Sequence, residues 1–279
     1  MVAATVTDGG GRNVEVLGFP VQAIDLETAV GRLRAVLSGE RQERLRVVTL
    51  NPEMVMAGLK DPALGRALRS GDLVVPDGIG IVWALRRAGY PQRQRVTGVD
   101  LVETLLTKTA LDGLRVFLLG GKPGVAEMAK ARLERRWPGI QVVGCSHGYF
   151  SPAEDGEVVR RINQTRPALL LAGMGVPRQE IWLAEQWGNL TVPVGIGVGG
   201  LLDLWAGRTK RAPAALRQAG LEWLYRVWRE PARWYRLRVL PGFVWKVWAA
   251  SWGGEKEETE RRPDDLDERE AELPEEGDR

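Results

Sequence analysis

Leu73-Val74-Val75-Pro76-Asp77-Gly78-Ile79-Gly80-Ile81-Val82-Trp83 is the stretch on which the fold turns. Three apolar residues, two of them β-branched, run into Pro-Asp-Gly, and a second apolar run follows. The pattern predicts the end of a buried strand, a tight turn and the start of a helix. In an open α/β sheet, ligands sit outside the carboxyl ends of the strands. Asp77 falls at such an edge, near the positive end of a helix dipole. An aspartate there has a plainer use, as an N-cap that accepts orphan backbone N–H groups. On this stretch alone both readings stay open.

The same alternation repeats on either side of it. Residues 46–50 read as a strand closed by Asn51-Pro52, with helices over 53–59 and 62–69. Before them, 14–24 is β-rich, and Asp25-Leu26-Glu27-Thr28 opens an amphipathic helix to about Ser38. Beyond Asp77, a helix is expected over 99–111 and strands over 114–119, 140–145, 168–172 and 192–196. Helices fill the intervals, to Arg136, over 153–165, over 178–187 and over 201–205. Strands alternating with helices of these lengths imply parallel βαβ units covered on both faces.

The 279 residues, 44% of them hydrophobic, suffice for a full core. A single cysteine, Cys145, excludes an internal disulfide and fits a reducing compartment. No apolar signal segment opens the chain, and no apolar run reaches the roughly 20 residues that span a bilayer. A cytoplasmic protein is expected.

Charge is unevenly distributed. Residues 254–279 hold 13 acidic and 5 basic side chains, leaving a net of +11 on the remainder. Between Arg208 and Lys246 ten basic residues face only Glu222 and Glu230, and seven of the eleven tryptophans lie at or after Trp205. Projected as a helix, Arg226, Arg229, Arg233 and Arg236 fall on one side and Trp223, Leu224, Val227, Trp228 and Trp234 on the other. Pro231 breaks that helix, and Pro241-Gly242 sets off a third apolar piece over 243–252. Three regions follow: a catalytic body over 1–207, a basic Trp-rich appendage over 208–252, and an acidic tail over 253–279 too poor in apolar residues to pack.

Other chemical signals are weak. Gly120-Gly121-Lys122-Pro123-Gly124 follows a strand and could hold a phosphate or simply turn the chain; it lacks the dinucleotide and Walker spacings. His147, the only histidine, suits a pocket wall or a turn, and Cys145 suits inert packing. The one Asp-x-Asp pair, Asp265 and Asp267, lies in the acidic tail, so no metal site is expected and arginines must neutralise any departing diphosphate.

In order along the chain stand Val48-Thr49-Leu50-Asn51-Pro52-Glu53, Pro76-Asp77-Gly78-Ile79-Gly80, Arg95-Val96-Thr97-Gly98 and Gly173-Met174-Gly175-Val176-Pro177-Arg178-Gln179-Glu180. Gly197-Val198-Gly199-Gly200 with Arg211-Ala212-Pro213, Gly220-Leu221-Glu222-Trp223-Leu224-Tyr225-Arg226 and Glu230-Pro231-Ala232-Arg233 complete the set. Together they resemble the WecG/TagA/CpsF glycosyltransferases over about residues 14–240. The resemblance implies a Rossmann-like GT-E fold with a C-terminal helical appendage. It also implies inverting transfer of N-acetylmannosamine, or a related sugar, from a UDP donor to undecaprenyl-diphosphate-linked N-acetylglucosamine. By it Asp77 matches the general base, and Thr49, Asn51, Arg95 and Gln179 match pocket residues. Arg226, Arg233 and Arg236 match appendage arginines that complete the site at the membrane. No cofactor is implied, and the enzyme would sit peripherally on the inner face of an anionic membrane.

Two other classes use similar parts. A Rossmann-like oxidoreductase needs a dinucleotide loop and an acidic ribose ligand about 20 residues on, which the sequence does not offer. A nucleic-acid binding module could use the Arg/Trp segment, but its tryptophans and arginines separate onto opposite sides, as in an interfacial helix. Nucleic acid is therefore not an expected partner. A blander use of the segment is to pack on its own core or on a second copy of the chain in a homo-oligomer.

Overall fold

Apolar runs without polar alternation become strands buried on both faces, and here they assemble one parallel sheet. In the computed structural model, which describes residues 4–6, 12–92, 94–213, 216 and 238–253, these strands are β4 (Leu45–Leu50), β5 (Leu73–Pro76), β6 (Arg115–Gly120), β7 (Gln141–Ser146), β8 (Leu169–Gly173) and β9 (Val194–Gly197). Their order across the sheet is β5-β4-β9-β8-β6-β7, parallel throughout. β4, β5, β8 and β9 are buried along their whole length.

The helices among the described residues are α1 (Leu26–Leu37), α2 (Pro52–Gly58), α3 (Pro62–Arg69), α4 (Ile79–Arg87), α5 (Gly98–Thr109), α6 (Val125–Arg136), α7 (Asp155–Thr165), α8 (Arg178–Gln186), α9 (Leu201–Trp205) and α10 (Val239–Gly253). Side-chain caps start several of them: Asp25 for α1, Asn51 for α2, Asp61 for α3 and Thr97 for α5. Pro52 and Pro62 follow their caps at the first helical position, where no backbone donor is needed. Helices α1, α5, α6 and α9 bury Val30, Leu33, Leu105, Ala129 and Leu202 on one face with Val47, Val75 and Leu118. On the other, α2, α3, α4 and α10 meet Val48, Leu50 and Val74, while α7 and α8 meet Phe117 and Leu170. This is the expected Rossmann-like arrangement.

Two details differ from the sequence reading. Residues 14–24 do not enter the parallel sheet. β1 (Ala4–Val6), β2 (Arg12–Val16) and β3 (Phe19–Ala23) form a separate antiparallel sheet. Val16 pairs with Phe19, so the loop is two residues, Leu17 and Gly18, with φ of 52° and 82°. A two-residue loop with both φ positive matches the twist of the flanking strands. β3 flanks the edge strand β5, where the Gln22 side-chain oxygen accepts the Val74 N–H. That bond covers an edge that would otherwise template further pairing.

The second difference lies at Pro241-Gly242. These residues do not separate a new piece but fall inside the first turn of α10. A proline there costs no hydrogen bond, because first-turn N–H groups have no intrahelical partner. Helix α10 packs on α2 and α4 through Phe243, which is fully buried, and Val247. Among the described residues no helix is long and apolar enough to cross a membrane.

Candidate functional site

Leu50 lies opposite Pro76 in the β4–β5 register, so Asn51 and Asp77 leave the sheet side by side. The Asp77 N–H donates to the Leu50 carbonyl at 2.8 Å, which continues the pairing past the strand end. The cap position of α4 belongs to Gly78, not Asp77, and α4 has no side-chain cap. Gly78 has φ of 88°, a conformation that a side chain would strain. Asp77 thus precedes the cap position of α4. Its half-buried carboxylate stands one residue outside the helix, within the field of the helix N-terminus.

Asn51 does cap its helix. Its Oδ1 accepts the Met54 N–H at 3.0 Å, which leaves the amide N–H₂ as the group it can present to a ligand. Thr49, two residues back, is 8% exposed and faces Gly98, where a Cβ would meet Thr49 Oγ1 at 3.5 Å.

Arg95 arrives on a different segment. The Val96 N–H donates to the Pro76 carbonyl at 2.8 Å, and the Val96 side chain is fully buried. That anchor lays residues 95–98 along the end of β5, with Arg95 half-buried beside the Asp77 turn. Thr49, Asn51, Asp77 and Arg95 thus gather at the carboxyl ends of β4 and β5. Close packing holds the group together: a Cβ on Gly80 would meet Pro52 Cγ at 2.6 Å and Phe243 Cε1 at 3.5 Å. Helix α10 therefore rests on the first turn of α4, beside Asp77.

Gln179 comes from the other side of the crevice, at the start of α8. It is 3% exposed and its contacts are specific. Oε1 accepts the N–H groups of Gly175 at 3.1 Å and Gly199 at 2.9 Å, tying together the loops that follow β8 and β9. Nε2 donates to Glu180 Oε1 at 3.0 Å, so one amide hydrogen remains for a ligand. The residue that orients Gln179 is Glu180, fully buried, which sequence reasoning did not single out. Gly197 makes room for both, since a Cβ there would lie 2.4 Å from Glu180 Oε1. Burial pushes the Glu180 carboxyl up, against the Gln179 hydrogen bond and the charge of Arg46.

Arg46, also missed, is 1% exposed and donates from Nη2 to the Ala67 carbonyl at 2.7 Å and Ser70 Oγ at 2.9 Å. One charged residue inside the run Leu45-Arg46-Val47-Val48 was the available signal, because a buried arginine requires partners.

The Gly120–Gly124 loop has the close backbone contacts of a turn. A Cβ on Gly120 would lie 2.3 Å from the Gly173 carbonyl oxygen, so two backbones touch there. The Gly121 N–H is taken by Gly173 at 3.0 Å. His147 Nδ1 accepts the Tyr149 N–H at 3.2 Å, a turn role. Burial pushes the Cys145 thiol up to about 11, consistent with inert packing. Among the described residues no three His, Cys, Asp or Glu side chains converge on a point that a metal could occupy. Arg226, Arg233 and Arg236 lie outside the described residues.

Known proteins resemble the chain over most of its length. The model of the glycosyl transferase WecG/TagA/CpsF family matches residues 14–257. One curated relative is the N-acetylglucosaminyldiphosphoundecaprenol N-acetyl-beta-D-mannosaminyltransferase of Staphylococcus aureus (strain MW2). It is 32% identical over 234 residues, which cover 84% of this chain and 91% of the relative. A protein of the same name from Bacillus spizizenii (strain ATCC 23059 / NRRL B-14472 / W23) is 34% identical over 201 residues, 72% of this chain and 77% of its own.

Proposed function

The chain belongs to the WecG/TagA/CpsF glycosyltransferase family, and from that premise we propose that it adds N-acetylmannosamine, or a related sugar, to undecaprenyl-diphosphate-linked N-acetylglucosamine, with a UDP-sugar as donor. The observation that carries the reading is the gathering of Thr49, Asn51, Asp77 and Arg95 at the carboxyl ends of adjacent strands. The acceptor hydroxyl oxygen attacks C1 of the donor from the face opposite UDP. As that bond forms, the bond from C1 to the UDP oxygen breaks, and UDP leaves with the electron pair. Asp77 takes the hydroxyl proton. Thr49, Asn51 and the remaining amide hydrogen of Gln179 orient sugar hydroxyls and the acetamido group. Arg95, with Arg226, Arg233 and Arg236, neutralises the leaving diphosphate in place of a metal.

A panel of UDP-sugars, incubated with a lipid-diphosphate-GlcNAc acceptor and read by mass spectrometry, tests this reading. The acceptor should gain one N-acetylhexosamine from the N-acetylmannosamine donor, and equally so in EDTA. If chelator stops the reaction and Mg²⁺ or Mn²⁺ restores it, the arginine-only account of the leaving group is wrong.

The acceptor's lipid places the reaction at a membrane surface, and α10 supports a peripheral mode of contact. Lys246 is its only charged residue, and although Phe243 and Val247 are buried, Val244 and Trp245 are 47% and 65% exposed. The Trp245 and Trp248 rings lie 5.5 Å apart. With Leu17, Leu59 and Ala249, Trp245 and Lys246 line an open apolar groove. Aromatic rings favour the headgroup region, and basic residues such as Arg238 and Lys246 each gain ~1 kcal/mol near anionic lipid. Replacing Trp245 and Trp248 with Ser should weaken sedimentation with anionic liposomes while sparing transfer to a soluble short-chain acceptor. Unchanged sedimentation of that variant would remove α10 from the membrane contact.

A further inference from the structure

Among the described residues, Arg46 and Glu180 are the charged side chains that the core buries, and the reaction as derived uses neither. The fold places them on one face of the sheet. In the β4–β9 register Arg46 lies opposite Gly195, and Gly197, two residues on, shares the face of Gly195. Gly197 is the position whose missing Cβ admits Glu180. Helix α8, which carries Glu180, also packs on α3, whose C-terminal end holds the Arg46 guanidinium through Ala67 and Ser70.

Each charge is left one atom short. Glu180 Oε1 accepts Gln179 Nε2, but Oε2 has no hydrogen-bond partner among the described residues. Arg46 Nη2 makes both of its side-chain bonds, and Nη1 is likewise left over. A buried donor and a buried acceptor on groups of opposite charge are complementary, and without the other each would be an uncompensated charge. Burial pulls the Arg46 guanidinium down, against the charges of Glu180 first and Asp72 second. Asp72 is already engaged, since its Oδ2 accepts the Arg46 backbone N–H at 2.7 Å.

The Gln179 amide can face only one way. Its oxygen accepts the N–H groups of Gly175 and Gly199, so its nitrogen must find an acceptor, and that acceptor is Glu180. We propose that Arg46 is a positioning residue that acts through Glu180: its charge keeps Glu180 a carboxylate, and the carboxylate holds the Gln179 amide that ties the loops after β8 and β9 together. Without Arg46 the buried carboxylate takes a proton from solvent. The acid is a poorer acceptor, and its hydroxyl needs an acceptor that the Gln179 nitrogen cannot be. Only the effect on turnover rests on the sugar-binding role proposed for Gln179.

Three variants test this: Arg46→Met, Glu180→Gln and the two combined. Amide hydrogen exchange reads the Gln179 tie directly. In Arg46→Met the Gly175 and Gly199 N–H groups should exchange roughly ten-fold faster relative to Leu171 in β8, the scale of one weakened charge-assisted bond. In the same variant kcat/KM with a UDP-N-acetylmannosamine donor and a lipid-diphosphate-GlcNAc acceptor should fall by a similar factor. In Glu180→Gln one oxygen is contested by Arg46 and Gln179, so this variant should lose activity too. The double variant buries neither charge and leaves that oxygen to Gln179, so it should recover most of the loss in both readouts. It also decides the matter if Arg46→Met does not fold. Unchanged relative exchange of Gly175 and Gly199 in a folded Arg46→Met, or a double variant no better than Glu180→Gln, overturns the proposal. Faster exchange with wild-type turnover upholds the link from Arg46 to Gln179 and instead removes Gln179 from sugar binding.

Discussion

Asp77→Asn is expected to slow sugar transfer by roughly 100-fold or more, the usual scale for loss of a general base. The substitution should leave the fold and UDP binding nearly unchanged. A small structural cost is expected because Gly78, not Asp77, holds the cap position of α4. The backbone bond from Asp77 to Leu50 does not depend on the side chain, so the turn persists in the variant. Asn preserves size and polarity but cannot take a proton at neutral pH. The effect should therefore appear in kcat more than in KM, as expected when an interaction forms only in the transition state. Full activity in Asp77→Asn would remove this carboxylate from the mechanism.

The other large effect is expected at Arg226, Arg233 and Arg236. Replacing all three with Gln should reduce transfer below detection and leave the melting temperature of the protein nearly unchanged. If each guanidinium contributes one charge-assisted contact to a phosphate, about 1.5–3 kcal/mol apiece, the combined loss exceeds roughly a thousand-fold. Stability should persist because the buried clusters on the two faces of the sheet are built of apolar side chains, Phe243 and Val247 of α10 among them, and not of these arginines. An Arg triple variant that retained wild-type turnover would show that the appendage does not complete the site.

The sequence announces many of these elements for local physical reasons. Helix α3 runs from Pro62 to Arg69 as read, because Asp61 caps it, Pro62 can only start it and Leu64 and Leu68 face the core. The strand that delivers Asp77 is one residue longer than the apolar run implies, since Pro76 still pairs with Leu50 of β4. Asn51 and Asp77 are legible as strand-end residues for the same reason, whereas Arg95, on the segment before α5, is legible only through the family resemblance. Their adjacency is not, because it depends on a strand order that no local pattern encodes.

Long-range pairing also hid the rest. The β2–β3 hairpin reads as one β-rich stretch, since Leu17 is an unusual residue for a positive-φ turn and masks the loop. Pro241 reads as a break unless the helix start two residues earlier is known. Glu180 looks like a solvated helix charge next to Gln179, and only the missing Cβ of Gly197 reveals the space it occupies.

The anomeric configuration of the newly formed linkage, read by NMR from the product of an α-linked UDP donor, bears most directly on a single displacement assisted by Asp77. One carboxylate acting as base, with attack opposite UDP, gives an inverted, β-linked sugar. A product that retained the α configuration would demand a second displacement and a covalent or equivalent intermediate, and would contradict the role assigned to Asp77.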